Sequence, residues 1–259
     1  ERIPYLTSKS IWYSINISTN NDILLQWINT LESSYLIIKQ EFLNARKYNI
    51  PLFQPYRSPN NKGNNNNNIL SSGNWNICYL QLHGIDFNDN LNAFPETTKI
   101  LNSLPRIHSH TFFSVLTPNT HISPHFGPTN KKLRFHLPLI IPSDKLSWLR
   151  VGSDTIQLIE GKCIVFDDSF EHEAGNDSLN DIRAVLVVDI WHPDLSDAEI
   201  KFLTFISKSL LVTAKKLSNK LSSEDESDGN DFYTLILKTR NQAFNISKKD
   251  IWGSNIIDD

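Results

Sequence analysis

A mainly β domain with flanking helices is what this sequence predicts, from a series of short apolar runs, the turn residues between them, and amphipathic helical stretches on either side. The runs are NICYLQL (76–82), TFFSVLT (111–117), KLRFHLPLII (132–141), LSWLRV (146–151), DTIQLI (154–159), KCIVF (162–166) and RAVLVVDIW (183–191). Short strands of β-branched and aromatic residues at such spacing fold as a sandwich or a barrel.

The helices come from a different period. Leu24, Trp27, Leu31, Tyr35, Ile38 and Phe42 recur every three or four residues from Asp22 to Arg46, and Asn20, Asn21 or Asp22 can cap that helix. Its apolar stripe should lie on a sheet, and the helix should end before Pro51. PETTKILNSL (95–104) predicts a short helix with Pro95 in its first turn. A second long amphipathic helix is expected from about Ser196 to Leu221, with Ile200, Leu203, Ile206 and Leu210 on its apolar edge and lysines opposite. The tract NNKGNNNNN (60–68) has nothing to bury and reads as a disordered surface insertion, a loop near 58–72. SSEDESDGND (222–231) reads as an acidic linker before a C-terminal tail. The expected organisation is therefore a domain over 1–204, followed by the helix end, linker and tail over 205–259.

At 259 residues, with 39% hydrophobic and 20% charged residues, the chain can bury a large core. A formal net charge of −3 gives no basic surplus for phosphate contacts, so nucleic acid is not an expected partner. Cys78 and Cys163 sit in apolar runs and read as buried free thiols. No apolar run is long enough for a membrane span, and the first residues carry no signal-peptide core. A chain that starts at Glu1 and contains no methionine is expected to be a processed or excised part of a longer product, with any anchor upstream.

Side chains two apart on a strand share a face, so KLRFHLPLII puts Arg134 and His136 opposite Leu133, Phe135, Leu137 and Leu139. Arg183 opens RAVLVVDIW in phase with Val185 and Val187. An inward arginine must meet an anion, because an uncompensated buried charge costs several kcal/mol. That anion is either a bound carboxylate or a protein acid, with Asp167, Asp168, Glu171 and Asp189 as candidates. His125 in SPHFGPTN and His172 in FDDSFEHE can be brought together by antiparallel strands. Paired histidines with a carboxylate form the facial site of non-haem iron oxygenases, yet the usual carboxylate position is Gly127. His108, His110 and His192 read as hydrogen-bonded core residues. His121 and His125 are not a helical zinc pair, because Pro118 and Pro124 exclude the helix.

FSVLTPNTHISPHFGPTNKKLRFHLPLIIP, EGKCIVFDDSFEHE and RAVLVVDIWHPDL, in that order, resemble the aspartyl/asparaginyl β-hydroxylase family; GNW (73–75) and FPETTKIL (94–101) add weaker matches. The resemblance spans roughly residues 22–200. It implies a double-stranded β-helix, the jelly-roll or cupin-like fold, and an Fe(II)- and 2-oxoglutarate-dependent dioxygenase that uses O₂. It implies that His125 and His172 are the iron ligands, with glycine in place of a carboxylate ligand as in the peptide hydroxylases of the family. By the same matching, Ser114 and Arg183 would hold the distal carboxylate of 2-oxoglutarate, and Arg134 and His136 its metal-proximal end or a substrate carboxyl group. The implied substrate is an Asp or Asn side chain of a protein or peptide, EGF-like domains among them, in the endoplasmic reticulum or another secretory compartment. The alternatives are a different small or lipid substrate, or a peptide-binding module without turnover. Departures are that IDFNDNLNA (85–93) has no cysteine pair and that the 259 residues of this span include no repeat domain ahead of the match. Sequons at Asn16, Asn176 and Asn245 would permit glycosylation on a secretory route.

Overall fold

Alternation along the strands sorts the side chains onto opposite faces and thereby sets the layers. The computed structural model describes residues 2–48, 52–56, 69–144 and 146–221. In chain order these form β1 (Ile11–Tyr13), α1 (Asp22–Ser33), α2 (Tyr35–Lys47), β2 (Gln54–Pro55), β3 (Leu70–Ser72), β4 (Trp75–Leu82), β5 (Ile85–Asp86), α3 (Asn88–Ala93), α4 (Pro95–Ser103), β6 (Ile107–Leu116), β7 (Thr120–His125), β8 (Lys132–Ile140), β9 (Ser147–Val151), β10 (Asp154–Gln157), β11 (Ile164–Phe166), β12 (His172–Asn176), β13 (Arg183–Trp191) and α5 (Asp197–Leu221). The Asn-rich tract, the acidic linker and the tail, with the Asn245 sequon, lie outside the described residues.

An eight-stranded antiparallel sheet in the order β1-β11-β8-β13-β6-β4-β2, with β5 on β4, faces a five-stranded sheet in the order β10-β9-β12-β7-β3. From β6 onward the chain crosses from one sheet to the other at each connection except the β9–β10 hairpin. This topology is the double-stranded β-helix. On the outer face of the large sheet, Leu133, Phe135, Leu137, Leu186, Val188 and Phe113 pack against Leu24, Trp27, Ile38 and Phe42 of α1 and α2. Burying each such side chain contributes about 1.5–3 kcal/mol. The inner face carries Ile77, Tyr79, Phe112, Val185 and Val187, which meet Ile122, Leu149, Val151 and Ala174 of the small sheet. Arg134, His136 and Arg183 share that inner side.

The expected helix over 22–46 is two helices. Asn21 caps the first by accepting from the Leu24 N–H, at 3.1 Å, and the break falls at Ser34. Ser33 Oγ donates to the Thr30 carbonyl, the local competition that weakens serine inside helices. Pro95 opens α4 as expected, and α5 runs unbroken across residues 204 and 205. The strands β7 and β12, THISPH and HEAGN, are not among those the hydrophobic pattern predicts. Asn176 is fully buried in β12, where it donates to the carbonyls of Thr117 and Asp181 at 3.0 and 2.9 Å. Its sequon is therefore closed to glycosylation in the folded chain. Cys78 and Cys163 are buried and free, as expected.

Candidate active site

His125 stands directly opposite His172 where β7 pairs with β12, beside an irregularity in that ladder. Their ring centroids are 4.1 Å apart with the planes at 50°. His125 Nδ1 lies 2.8 Å from the Ser123 carbonyl oxygen, and His172 Nδ1 lies 3.0 Å from that of Phe170. A carbonyl only accepts, so both Nδ1 atoms carry the proton and both Nε2 atoms present a lone pair. Burial, and then the neighbouring His125, depress His172 to about 3; burial also lowers His125. Two neutral imidazoles whose tautomer is fixed by backbone carbonyls suit a divalent first-row metal.

Gly127 follows on the same segment, and its lack of a side chain is required by a neighbour. A Cβ there would sit 2.6–2.7 Å from the carboxyl atoms of Asp168. The Gly127 N–H donates to the Asp168 carbonyl at 2.6 Å. Asp168 Oδ1 is buried without a hydrogen-bond partner. A carboxylate from the β11–β12 connection thus occupies the space that a carboxylate at position 127 would need. Among the described residues no group of three or more His, Cys, Asp and Glu side chains is placed to hold a metal, so Asp168 stands near the histidine pair without completing a three-ligand set. Gly127→Ala is expected to cost about 1–3 kcal/mol in thermal unfolding, because Asp168 is held in place. The cost should shrink in an Asp168→Ala background.

What holds Asp168 is a buried charge network. Its Oδ2 lies 2.7 Å from Lys132 Nζ and 3.1 Å from Arg134 Nη1. Asp189 takes Arg134 Nε and Nη2 as a fork, at 2.8 and 2.9 Å. Lys132 Nζ at 2.8 Å and His110 Nδ1 at 3.0 Å complete its surroundings. Register explains the fork, since Asp189 on β13 is the direct partner of Arg134 on β8. Burial alone would raise Asp189, but Arg134 and Lys132 outweigh it and hold the carboxyl well below its ordinary range. A depressed carboxyl contributes stability that is fully present above the unfolded-chain value and is lost as pH falls through the lower folded value. Asp189→Asn should therefore cost about 3–5 kcal/mol at neutral pH and flatten the acid limb of the stability curve, measured by denaturant unfolding from neutral pH downward.

Arg183 is the opposite case. It is 2% exposed, and its Nε and Nη1 are buried with no hydrogen-bond partner. No acid offsets its burial, which alone pulls the guanidinium down to about 10. Ser114 lies on the adjacent strand, one residue pair from Arg183 on the same face. Its Oγ accepts from Trp75 Nε1 at 2.9 Å, which leaves the hydroxyl proton for a ligand. His136 is buried, its Nδ1 also lacks a partner, and burial and then Arg183 push it well below its ordinary value. Phe166 meets the His136 ring edge-on at 5.0 Å and lies 5.6 Å from His172. Unsatisfied donors of this kind mark a place built for an anion.

The structure thus brings together His125 with His172, and Ser114 and His136 with Arg183. Arg134 is committed to Asp189 and Asp168, the protein-partner alternative of the sequence reading. His110 bonds Asp189 and His192 Nε2 meets the Thr7 carbonyl at 3.2 Å, as core histidines should. His108 departs, because its buried Nδ1 has no hydrogen-bond partner; its ring packs edge-on against Trp191 at 4.5 Å. His121 stays away from the pair, bonding Glu173 and Ser71. Sequence reasoning named Asp168 only as a candidate acid for an inward arginine, which it is for Arg134, and missed its place beside Gly127, as well as Lys132 and Trp75. The available signal was an aspartate four residues before His172 in FDDSFEH.

Comparison with known proteins identifies the family of the chain. Residues 32–193 match the sequence profile described as Aspartyl/Asparaginyl beta-hydroxylase. The chain is 31% identical over 183 residues to the human aspartyl/asparaginyl beta-hydroxylase, an alignment that takes in 69% of this chain and 23% of that protein. It is 30% identical over 204 residues to the ornithine lipid ester-linked acyl 2-hydroxylase of Rhizobium tropici, covering 77% of this chain and 69% of that one. A prolyl hydroxylase from Trichoplax adhaerens, solved with a peptide fragment of hypoxia inducible factor, superposes with a TM-score of 0.44 at 12% identity, over 66% of this chain and 89% of that one. The chain spans about a quarter of the length of the human relative.

Proposed function

Because the chain belongs to the aspartyl/asparaginyl β-hydroxylase family, we propose that it is an Fe(II)- and 2-oxoglutarate-dependent dioxygenase hydroxylating Asp or Asn side chains of a protein substrate, such as EGF-like domains. The observation that carries this reading is Arg183, a buried guanidinium without an acid, with the Ser114 hydroxyl and the unpartnered His136 nitrogen on the same side of the sheet. A diacid answers those donors at one end while the histidine pair holds a metal near the other.

Bound iron with 2-oxoglutarate supplies the oxidising chemistry, in which O₂ is consumed, the keto acid is decarboxylated to succinate and CO₂, and a substrate C–H becomes C–OH. The rest is the protein's share. His125 and His172 would hold the metal through Nε2, their orientation fixed by the Ser123 and Phe170 carbonyls. Arg183 presents a planar fork that matches two carboxylate oxygens, and Ser114 adds a single donor. His136 would donate to, or accept from, the end of the diacid nearer the metal. Asp168 Oδ1 is a buried, unpartnered acceptor beside Gly127. Arg134 is anchored and neutralised by Asp189 and Asp168, which leaves Arg183 as the cation that would meet a carboxylate. Trp75, stacked on Tyr56 at 3.8 Å, closes the Ser114 side against water.

The test is Fe(II)-dependent 2-oxoglutarate decarboxylation by the purified chain, with product mass read on a panel of Asp- and Asn-containing peptides, EGF-like domains included. A mass gain of one oxygen on an Asp or Asn peptide supports the reading. Decarboxylation with oxygen delivered only to lipids would replace the substrate. That second reading is favoured by the similarity to a lipid acyl hydroxylase over most of that protein's length. No decarboxylation under any condition would leave a binding module.

A further inference from the structure

Outside the pocket, several exposed large apolar side chains of the described residues gather on α5. Ser196 and Glu199 form a capping box at its start: the Ser196 N–H donates to Glu199 Oε2 at 2.7 Å, and the Glu199 N–H donates to Ser196 Oγ at 3.3 Å. One side of the helix is seated. Ile200 and Leu203 pack against Leu6, Trp191 and Leu195, and Leu211 lies 3.8 Å from where a Cβ on Gly84 would stand.

The other side faces water with large apolar groups. Phe202 is 63% exposed, Phe205 68%, Ile206 38%, Leu210 51% and Val212 55%. At the helical turn angle these fall in the order Val212, Phe205, Phe202, Ile206, Leu210 around one arc of roughly 160°. The charged residues between Ile200 and Thr213 are Lys201 and Lys208. Both fall just past the Val212 edge of the arc, between it and the seated side. Ser209 and Thr213 fall inside the same arc, on either side of Phe202, and an exposed face this rich in large apolar groups marks an interaction surface.

We propose that this face of α5 rests on an anionic lipid surface, its aromatic and aliphatic side chains in the boundary between headgroups and acyl chains and its lysines on the headgroup charges. Charge selects the occupant. From Ile200 to Leu221 the helix carries five lysines and no acid, in a chain of formal net charge −3. A second copy of the same helix would set lysine against lysine, whereas a negatively charged membrane face answers them. Exposed phenylalanines beside a basic edge are the combination that places a helix in the plane of an interface. Spanning is a separate matter: among the described residues no helix is long and apolar enough to cross a membrane.

Sedimentation of the full chain with vesicles tests this, using phosphatidylcholine alone and phosphatidylcholine mixed with phosphatidylserine. The chain should sediment with the mixed vesicles and release as salt is raised. The triple change Phe202→Ser, Phe205→Ser, Ile206→Ser should weaken binding at least about tenfold. Lys201→Glu with Lys208→Glu should remove the preference for the anionic lipid by a similar factor. Both variants should keep the parent's unfolding midpoint, since these side chains face away from the core. The proposal is overturned if the parent chain stays in solution, or if the triple variant still sediments. A drop in the triple variant's midpoint would show the face covered by the chain itself, and a dimer lost in that variant would assign it to a second copy; either outcome also overturns the proposal.

Discussion

Replacing His125 and His172 together with alanine is expected to eliminate Fe(II)-dependent consumption of 2-oxoglutarate while leaving a folded protein. These rings are the neutral nitrogen donors at the site, and Gly127 adds no ligand of its own. Their loss leaves Asp168, whose Oδ2 is already bound to Lys132 and Arg134. A single acceptor oxygen is a weak site for a divalent ion that prefers several ligands. The structural cost should be small, about 1–2 kcal/mol, because both side chains line a polar pocket and touch the hydrophobic layers only at their edges. Metal content, decarboxylation and thermal unfolding measured on the same sample separate loss of the site from loss of the fold.

The second large effect has opposite signs on function and stability. Arg183→Met should raise the 2-oxoglutarate concentration needed for half-maximal turnover by roughly 30- to 100-fold, the size of a lost charge-assisted pair of about 2–3 kcal/mol. The same variant, without cosubstrate, should be more stable than the parent. A basic group whose folded value is depressed by burial penalises the fold at every pH below that value, here about 10, so at neutral pH the penalty is in force. Removing the charge relieves it by roughly 2–4 kcal/mol, since methionine fills a similar volume without a charge to desolvate. Addition of 2-oxoglutarate should raise the parent's unfolding midpoint and leave the variant's unmoved. A structural arginine would show the reverse, a variant less stable than the parent and indifferent to cosubstrate.

Much of the fold was legible because the large sheet is buried on both sides. β8 and β13 carry unbroken apolar alternation, so the phase of Arg134, His136 and Arg183 could be read directly from spacing. The stripe from Leu24 to Phe42 marked the helical layer for the same reason, although a pair of serines breaks it at Ser34. The small sheet gave no such signal. β7 and β12 give only Ile122 and Ala174 to the apolar layer, and Gly175 is kept bare by the Trp148 ring, which a Cβ would meet at 2.5–2.7 Å. The strands that carry the histidine pair were therefore hidden from hydrophobic pattern and visible only through the family's strings.

The fate of the two arginines was also out of reach of spacing. Both lie at inward positions of apolar strands, and acids are available to either. Register decides: Asp189 falls opposite Arg134, whereas Arg183 falls opposite Leu116. One arginine is neutralised and the other left open. The role of Asp168 was hidden similarly, because its contact with Gly127 joins two loops that local sequence does not relate.

Anaerobic titration of the Fe(II)-loaded protein with 2-oxoglutarate, followed by the visible charge-transfer absorption of the chelate, tests the paired-histidine and open-arginine pocket most directly. The account predicts a saturable band at one equivalent of iron and of keto acid, displaced to much higher concentration in Arg183→Met and absent when both histidines are replaced. A band that persists in the double histidine variant, or one whose midpoint is unchanged by Arg183→Met, would contradict it.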